Sequence, residues 1–342
     1  MMNTLVGLDT AKSVFQLHIV DAAGGVTRRK LRRDELIPFF ERHPRCRIVM
    51  EACGAAHHWG RLLTALGHEV SLIAPEAVKP FVKRGRKNDA ADAAAICEAA
   101  TRPNIKFVPI KTPDQQAILA LHTARSLLVK QQTMIVNAAR GLASEFGLTA
   151  PQGISKMDEL KASVEGDDDL PDAARSVLNT LFQQLASLSK QIEALEERIV
   201  LHAKTNETAR RLATIPGVGP TTSSLLAATI ADISVFPSAR HFVAWLGLVP
   251  RQFSTGGKTR LGRITKAGNT EIRRLLVLGA TSMVRRAEHW RSALGQWVRS
   301  ALGRRPTRLV TVALANKMAR IAWALMSHNE IYRPTRNMSA AT

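Results

Sequence analysis

The chain has 342 residues, more than one ordinary domain of ~100–200 residues, and carries 48 Lys and Arg against 28 Asp and Glu, a formal net charge of +20. That excess points to a polyanionic partner, because clustered Lys and Arg release the counterions condensed on nucleic acid. A hydrophobic content of 45% excludes a disordered basic tail. No uninterrupted apolar stretch reaches the ~18 residues that span a bilayer, and the start MMNTLVGLDTAK has no leader pattern. Cys46, Cys53 and Cys97 have neither metal-ligand nor disulfide spacing. A reduced, cytoplasmic protein without a membrane partner is expected.

In chain order, TLVGL (4–8) is a short apolar strand ending at Asp9, VFQLHIV (14–20) alternates as a strand, and VTRRKLR follows the AAGG turn as an edge strand. CRIVMEACG (46–54) predicts a buried strand with Glu51 near its end; a helix over 55–67 and a strand over 69–75 come next. Strands alternating with helices imply an α/β layer with partly parallel pairing, whose ligand sites lie at the carboxyl ends of strands. Asp9 and Glu51 fall there. The helix KNDAADAAAICEAA (87–100) carries Asp89 and Asp92 three residues apart, on one face. At a helix start such a pair also suits the macrodipole. Together with Asp9 and Glu51 it makes a hard-oxygen set suited to Mg²⁺ and phosphoryl transfer.

From Pro113 the pattern becomes helical. One seam runs Ala117, Leu121, Ala124, Leu128, Gln131, Ile135, Ala138, Leu142; a second runs Leu178, Leu181, Leu185, Leu188, Ile192, Leu195, Ile199, His202. Both have coiled-coil spacing, and such helices pair either within one chain or across two. The intervening MDELKASVEGDDDLPD (157–172), with seven acids and one lysine, predicts an exposed linker.

Residues 251–342 hold 18 basic and 3 acidic residues, three quarters of the net charge. Arginine predominates there, which suits phosphate recognition, whereas 5% aromatics argues against base stacking as the main binding device. IPGVG (215–219), between two helical stretches, puts Gly217 and Gly219 where backbone N–H groups could cradle a phosphate; a packing corner is the alternative. GLVPRQFSTGGKTRLGRITKAGN then predicts an exposed Ser-Thr-Gly-Gly turn ahead of Lys258, Arg260, Arg263 and Lys266, with Arg273 and Arg274 on the next helix. Ser254 is either a turn residue or a nucleophile activated by these cations. Tyr332, the single tyrosine, lies in a polar tail, a poor place for a tyrosine nucleophile, and the adjacent His57 and His58 suit an exposed helix start.

GLDTAK (7–12), MEACG (50–54) and KNDAADA (87–93) resemble the three blocks of a RuvC-like, RNase H-type domain with a D-E-D-D set. In order with the helical middle, IPGVG and the serine loop, they resemble the DEDD transposases of IS110 insertion sequences, a family that includes bridge-RNA-guided serine recombinases. The resemblance implies metal-binding carboxylates at Asp9, Glu51, Asp89 and Asp92, a helix-hairpin-helix at IPGVG, and a catalytic serine forming a phosphoserine link to DNA. Ser254, the only serine in this loop, takes that place counted back from Thr265-Lys266, whereas counting forward from Pro250 reaches Thr255. The expected layout is a RuvC-like domain over 1–110, a coiled-coil region over 111–205 with its linker at 157–172, a helical transposase domain over 206–330, and a tail over 331–342. Partners implied are duplex DNA as donor and target, a structured noncoding guide RNA, and further copies of the chain as a dimer or tetramer. A metal-dependent junction endonuclease without a covalent intermediate and a non-catalytic nucleic-acid scaffold stay open beside it.

Overall fold

The structure, a computed structural model, describes residues 4–82 and 89–334, with residues 89 and 90 described by backbone alone. The chain divides into two units, residues 1–116 with 230–237, and residues 117–229 with 238–342.

The first unit is built on β1 (Leu5–Thr10), β2 (Val14–Val20), β3 (Val26–Arg32), α1 (Leu36–Arg42), β4 (Arg47–Glu51), α2 (Ala56–Ala65), β5 (Glu69–Ile73), α3 (Pro75–Val78), α4 (Asp89–Ala100) and β6 (Phe107–Val108). The sheet order is β3-β2-β1-β4-β5-β6. β1, β2 and β3 run antiparallel, β4 and β5 join β1 in parallel, and β6 closes antiparallel. The expected edge strand β3 is exposed along almost its whole length. Alternation sorts each strand between two cores. Val6, Leu8, Ile48 and Met50 join Phe40, Trp59 and Leu63 of α1 and α2 on one face. Val49 and Ile73 join Val78 of α3 and Ile96 and Ala99 of α4 on the other.

The second unit is helical apart from one β-hairpin. It holds α5 (Pro113–Ser144, from residue 117), α6 (Met157–Glu165), α7 (Asp172–Thr205), α8 (Glu207–Ala213), α9 (Pro220–Thr229), α10 (Ala239–Trp245), β7 (Pro250–Thr255), β8 (Lys258–Ile264), α11 (Thr270–Arg285), α12 (Ala293–Leu302) and α13 (Thr307–His328).

The long helices α5 and α7 pair antiparallel within one chain. Arg125 Nε donates to Glu196 at 2.8 Å, Gln132 donates to Ser189 at 3.0 Å, and Ala139 and Ala143 share a core with Leu178, Phe182 and Leu185. The α7 seam matches expectation, with Leu178, Leu185, Leu188, Ile192 and Ile199 buried. On α5 the inward face is shifted by one residue. It runs through His122, Arg125, Val129, Gln132, Val136, Ala139 and Ala143, while Gln131, Ala138 and Leu142 of the expected seam are exposed. Polar residues sit on the true inward face because they have partners there, which an apolar pattern cannot reveal.

The expected linker at 157–172 is corrected in its first half. Met157, Leu160 and Val164 recur at helical spacing, so 157–165 folds as α6 and buries these three against α5 and α7, leaving its acids outside. α13 is long and apolar enough to cross a membrane by length and composition alone, yet half of that stretch is buried in the unit. Val310, Leu314, Met318, Ala322 and Leu325 form its core stripe.

Candidate functional site

Leu8 of β1 pairs in parallel with Met50 of β4, so Asp9 and Glu51 are the next residues on two adjacent strands, at their carboxyl ends. By alternation Asp9 shares a face with Gly7, and Glu51 with Val49. This is the face covered by α4, and the approach there is close. A Cβ on Gly7 would lie 2.3 Å from the carbonyl oxygen of Ala93 and 2.8 Å from Cys97 Sγ. Glycine therefore lets the helix that carries Asp92, half-buried and one residue before Ala93, lie directly on β1. Thr10 Oγ1 and Cys53 Sγ, 3.2 Å apart, link the two strand ends just beyond the carboxylates. Asp89 begins α4, and its side chain lies outside the described residues, as do Lys87 and Asn88 of the same motif. Among the described residues no three His, Cys, Asp or Glu form a metal-binding group. Oxygen donors on adjacent strand ends, beside the helix that carries Asp92, nonetheless suit a hard divalent cation.

His57 is half-buried rather than exposed. Its Nδ1 accepts from Lys111 N at 3.2 Å and its Nε2 lies 3.3 Å from Lys111 Nζ. Burial, then Lys111 and Arg61, pushes its pKa down to about 4. Burial also lowers that of Lys111.

In the second unit the expected Ser-Thr-Gly-Gly turn is corrected to a hairpin with its serine in a strand. Gly256 and Gly257, at φ +55° and +77°, form the two-residue turn, with positive φ at both positions as the right-handed strand twist favours. Ser254 pairs with Thr259 and Thr255 with Lys258. Side-chain alternation then puts Ser254 with Gln252, Thr259 and Leu261 on one face of the ribbon, and a bulge between Gln252 and Pro250 breaks the alternation before Arg263. Thr255, Phe253, Lys258 and Arg260 occupy the other. Gln252 Nε2 donates to Ser254 Oγ at 2.9 Å. β7 is exposed throughout, and so are Lys258, Arg260, Arg263 and Lys266. The sequence pattern alone did not suggest these strands, although Gly-Gly between two runs of strand-compatible residues is a hairpin signal.

Arg273 is a second correction. It is 8% exposed, and its guanidinium donates to the carbonyls of Leu246 at 3.0 Å and Ala267 at 2.6 Å and to Thr270 Oγ1 at 3.2 Å. It ties the base of the hairpin to α11, its guanidinium engaged by these backbone and hydroxyl oxygens. Arg274 is exposed and forms a two-pronged pair with Glu271.

IPGVG connects α8 to α9. Gly217, at φ +81°, is fixed by packing: its carbonyl oxygen would lie 2.0 Å from a Cβ on Gly279 of α11, and its own Cβ would meet Met283. Gly219 faces open space, just ahead of Pro220 at the start of α9. A cleft of about 580 Å³ opens there, with Arg125 and Lys130 of α5 and Arg274 of α11 among its walls. The tail is anchored where Tyr332 N donates to Thr214 Oγ1 at 2.8 Å, and residues 335–342 lie outside the described residues.

Residues 6–146 match a family of transposases, the DEDD type of IS110 elements, and residues 209–296 match the Transposase IS116/IS110/IS902 family. Over 96% of this chain there is 48% identity to a protein of Sinorhizobium fredii named as a transposase, 85% of which is covered. A family 20 transposase by name from Pseudomonas aeruginosa is 46% identical over 96% of this chain and 98% of its own. The transposase for insertion sequence element IS1328 of Yersinia enterocolitica is 42% identical over the same shares.

Proposed function

The chain belongs to the IS116/IS110/IS902 family of insertion-sequence transposases, and from that premise we propose that it cuts and rejoins DNA with the carboxylates of its first unit and the serine of its second. The observation that carries the first part is the placement of Asp9 and Glu51 side by side at the ends of parallel strands, on the face where α4 packs against Gly7. The strand order, three antiparallel strands continued by parallel ones, supports a RuvC-like, RNase H-type reading of this unit. Asp9, Glu51, Asp89 and Asp92 would hold Mg²⁺, which supplies Lewis-acid stabilisation at a scissile phosphate when bound.

Ser254 is the proposed nucleophile. Its Oγ bonds to phosphorus, the P–O bond to the adjoining nucleotide breaks, and that oxygen leaves with the serine's proton as a hydroxyl. The phosphoserine ester keeps the energy of the broken bond, so a second strand's hydroxyl can reverse the step and rejoin DNA without a high-energy cofactor. Arg263, exposed on the strand that pairs with the serine's, is available to the phosphate charge. IPGVG, as a helix-hairpin-helix, and Lys258, Arg260, Lys266 and Arg274 complete the proposed DNA contacts. A structured guide RNA and assembly into dimers or tetramers belong to the same proposal. Assembly is supported by Leu127 and Met134, 54% and 69% exposed and one heptad apart on α5.

The second reading is a metal-dependent junction endonuclease, favoured by the lack of a histidine partner for Ser254 among its described hydrogen bonds. Incubation with DNA carrying the element ends, resolved on a denaturing gel, separates the two. A protein–DNA adduct that disappears in Ser254→Ala is expected; hydrolysed DNA without an adduct means the endonuclease.

A further inference from the structure

The run from residue 289 to 329 contains seven Arg and Lys and no Asp or Glu. It folds as α12 and α13, whose packing leaves two adjoining clefts of about 600 and 460 Å³ that share Trp297 and Ala313 as a common wall. Lys317, Arg320 and Trp323 line the larger cleft; Arg304 and Arg305 line the smaller. Lys317 Nζ stands 4.9 Å from the centre of the Trp297 ring. Among the described residues none of Arg304, Arg305, Lys317 and Arg320 is paired with a carboxylate. Arg304 is instead held along α12 by Ser300, at 3.2 Å to its carbonyl and 3.1 Å to its hydroxyl.

We propose that this groove is a binding site for an unpaired DNA strand, with a base against Trp297 and the flanking phosphates on Arg304 and Arg305 at one end and Lys317 and Arg320 at the other. Charge complementarity selects a polyanion, since four unpaired cations line a groove to which its own helices bring no acid. Shape and the indole select the unpaired form. Bases inside a duplex are stacked and cannot enter a concave cleft, whereas an unstacked base fits one and gains from an aromatic face that is indifferent to sequence. Alternation of cation, aromatic and cation along the groove matches alternation of phosphate and base along a strand. Residues 313, 317, 320 and 324 recur every three or four positions, so α13 offers the strand one continuous face about 16 Å long at 1.5 Å per residue. DNA is the occupant because the chain is a transposase, and strand exchange requires ends that have left their complements. This rests on the proposed strand exchange but needs neither the serine nor a metal, so the two stand or fall separately.

The test is fluorescence anisotropy of full-length protein with a labelled oligothymidylate and, separately, a blunt duplex hairpin, each over a salt series. Lys317→Glu with Arg320→Glu, both exposed, should weaken oligothymidylate binding by at least about tenfold. Its salt slope should flatten by ~0.7 for each phosphate that is no longer neutralised, with duplex affinity kept within about twofold. Trp297→Leu should weaken single-strand binding and keep the salt slope; Trp297→Phe should restore much of it. Thermal melts identify any variant that fails to fold, and the charge-reversal pair keeps the test decisive if Trp297→Leu does. Equal losses for strand and duplex, or no loss for either, would overturn the proposal. So would an oligouridylate that binds tighter than oligothymidylate, since the occupant would then be RNA.

Discussion

The hydroxyl of Ser224 on α9 lies 3.0 Å from Nε2 of His122 on α5, inside the helical unit where both are buried. Nδ1 of His202 on α7 reaches the same oxygen at 2.9 Å, so one serine joins three helices. Its single proton goes to one imidazole, which must be neutral to accept it, while the other ring donates to the oxygen. Burial first, then His202 and Arg125, pushes the pKa of His122 down to about 4, with Glu271 opposing; burial also lowers that of His202. A histidine depressed in the folded state contributes stability that is full above the unfolded value near 6.5 and is lost as pH falls toward the folded value. The unit should therefore lose up to ~3 kcal/mol from His122 between about pH 6.5 and 4. Urea melts of wild type and His122→Gln over that range check this; equal acid sensitivity in both would refute it.

Gly7 determines whether α4 can lie on β1. A side chain there meets the backbone oxygen of Ala93, which cannot swing aside as a flexible side chain could. Gly7→Val should displace the helix carrying Asp89 and Asp92 and abolish DNA cleavage, with a destabilisation of ~1–3 kcal/mol. Cleavage assays beside a chemical melt measure both, and a fully active variant would show that the helix need not approach so closely.

Arg273 and the hairpin arginines should respond oppositely. Arg273→Ala leaves the carbonyls of Leu246 and Ala267 short of a donor in the interior, at a cost of ~1–3 kcal/mol. Its folded fraction should bind DNA with the wild-type salt dependence. Arg260→Ala and Arg263→Ala, both exposed, should leave the melt unchanged and reduce the salt slope by ~0.9 each on duplex DNA. A changed slope in Arg273→Ala would return that residue to the interface.

Ser254 and Thr255 face opposite sides of the ribbon, so a shift of one residue in assignment changes the partners entirely. Ser254→Ala should lose the covalent adduct and Thr255→Ala should keep it. Gln252→Ala, which removes the amide donating to Ser254 Oγ, should slow adduct formation while preserving DNA affinity. Adduct yield on denaturing gels against affinity by anisotropy reads each outcome; adduct lost only in Thr255→Ala would move the nucleophile by one residue.

Leu127 and Met134 offer the surface on which assembly can be tested without unfolding the unit, which substitution at Leu185 or Ile192 inside the α5–α7 pair would do. Leu127→Asp with Met134→Asp should lower the mass measured by light scattering. An unchanged mass at full fold would exclude this face as an interface between copies.

The amino-acid sequence determined what depends on period and local chemistry. Alternation in LVGLDT and RIVME, with the carboxylates at the strand ends, was legible without a structure, as was the heptad on α7, because burial there follows a regular apolar pattern. Two things escaped it on the helices. The inward face of α5 is polar in part, and its register is set by Glu196 and Ser189, which come from more than fifty residues away. Arg273 looked like a phosphate ligand beside Arg274, yet one points inward and the other out, because consecutive residues of a helix lie about 100° apart. Likewise the cleft at Trp297 exists only where α12 and α13 meet. Charge and residue type are properties of the chain; whether a cation is paired with a backbone oxygen or left open to a phosphate depends on distant segments that arrive beside it, and the tertiary structure alone decides that.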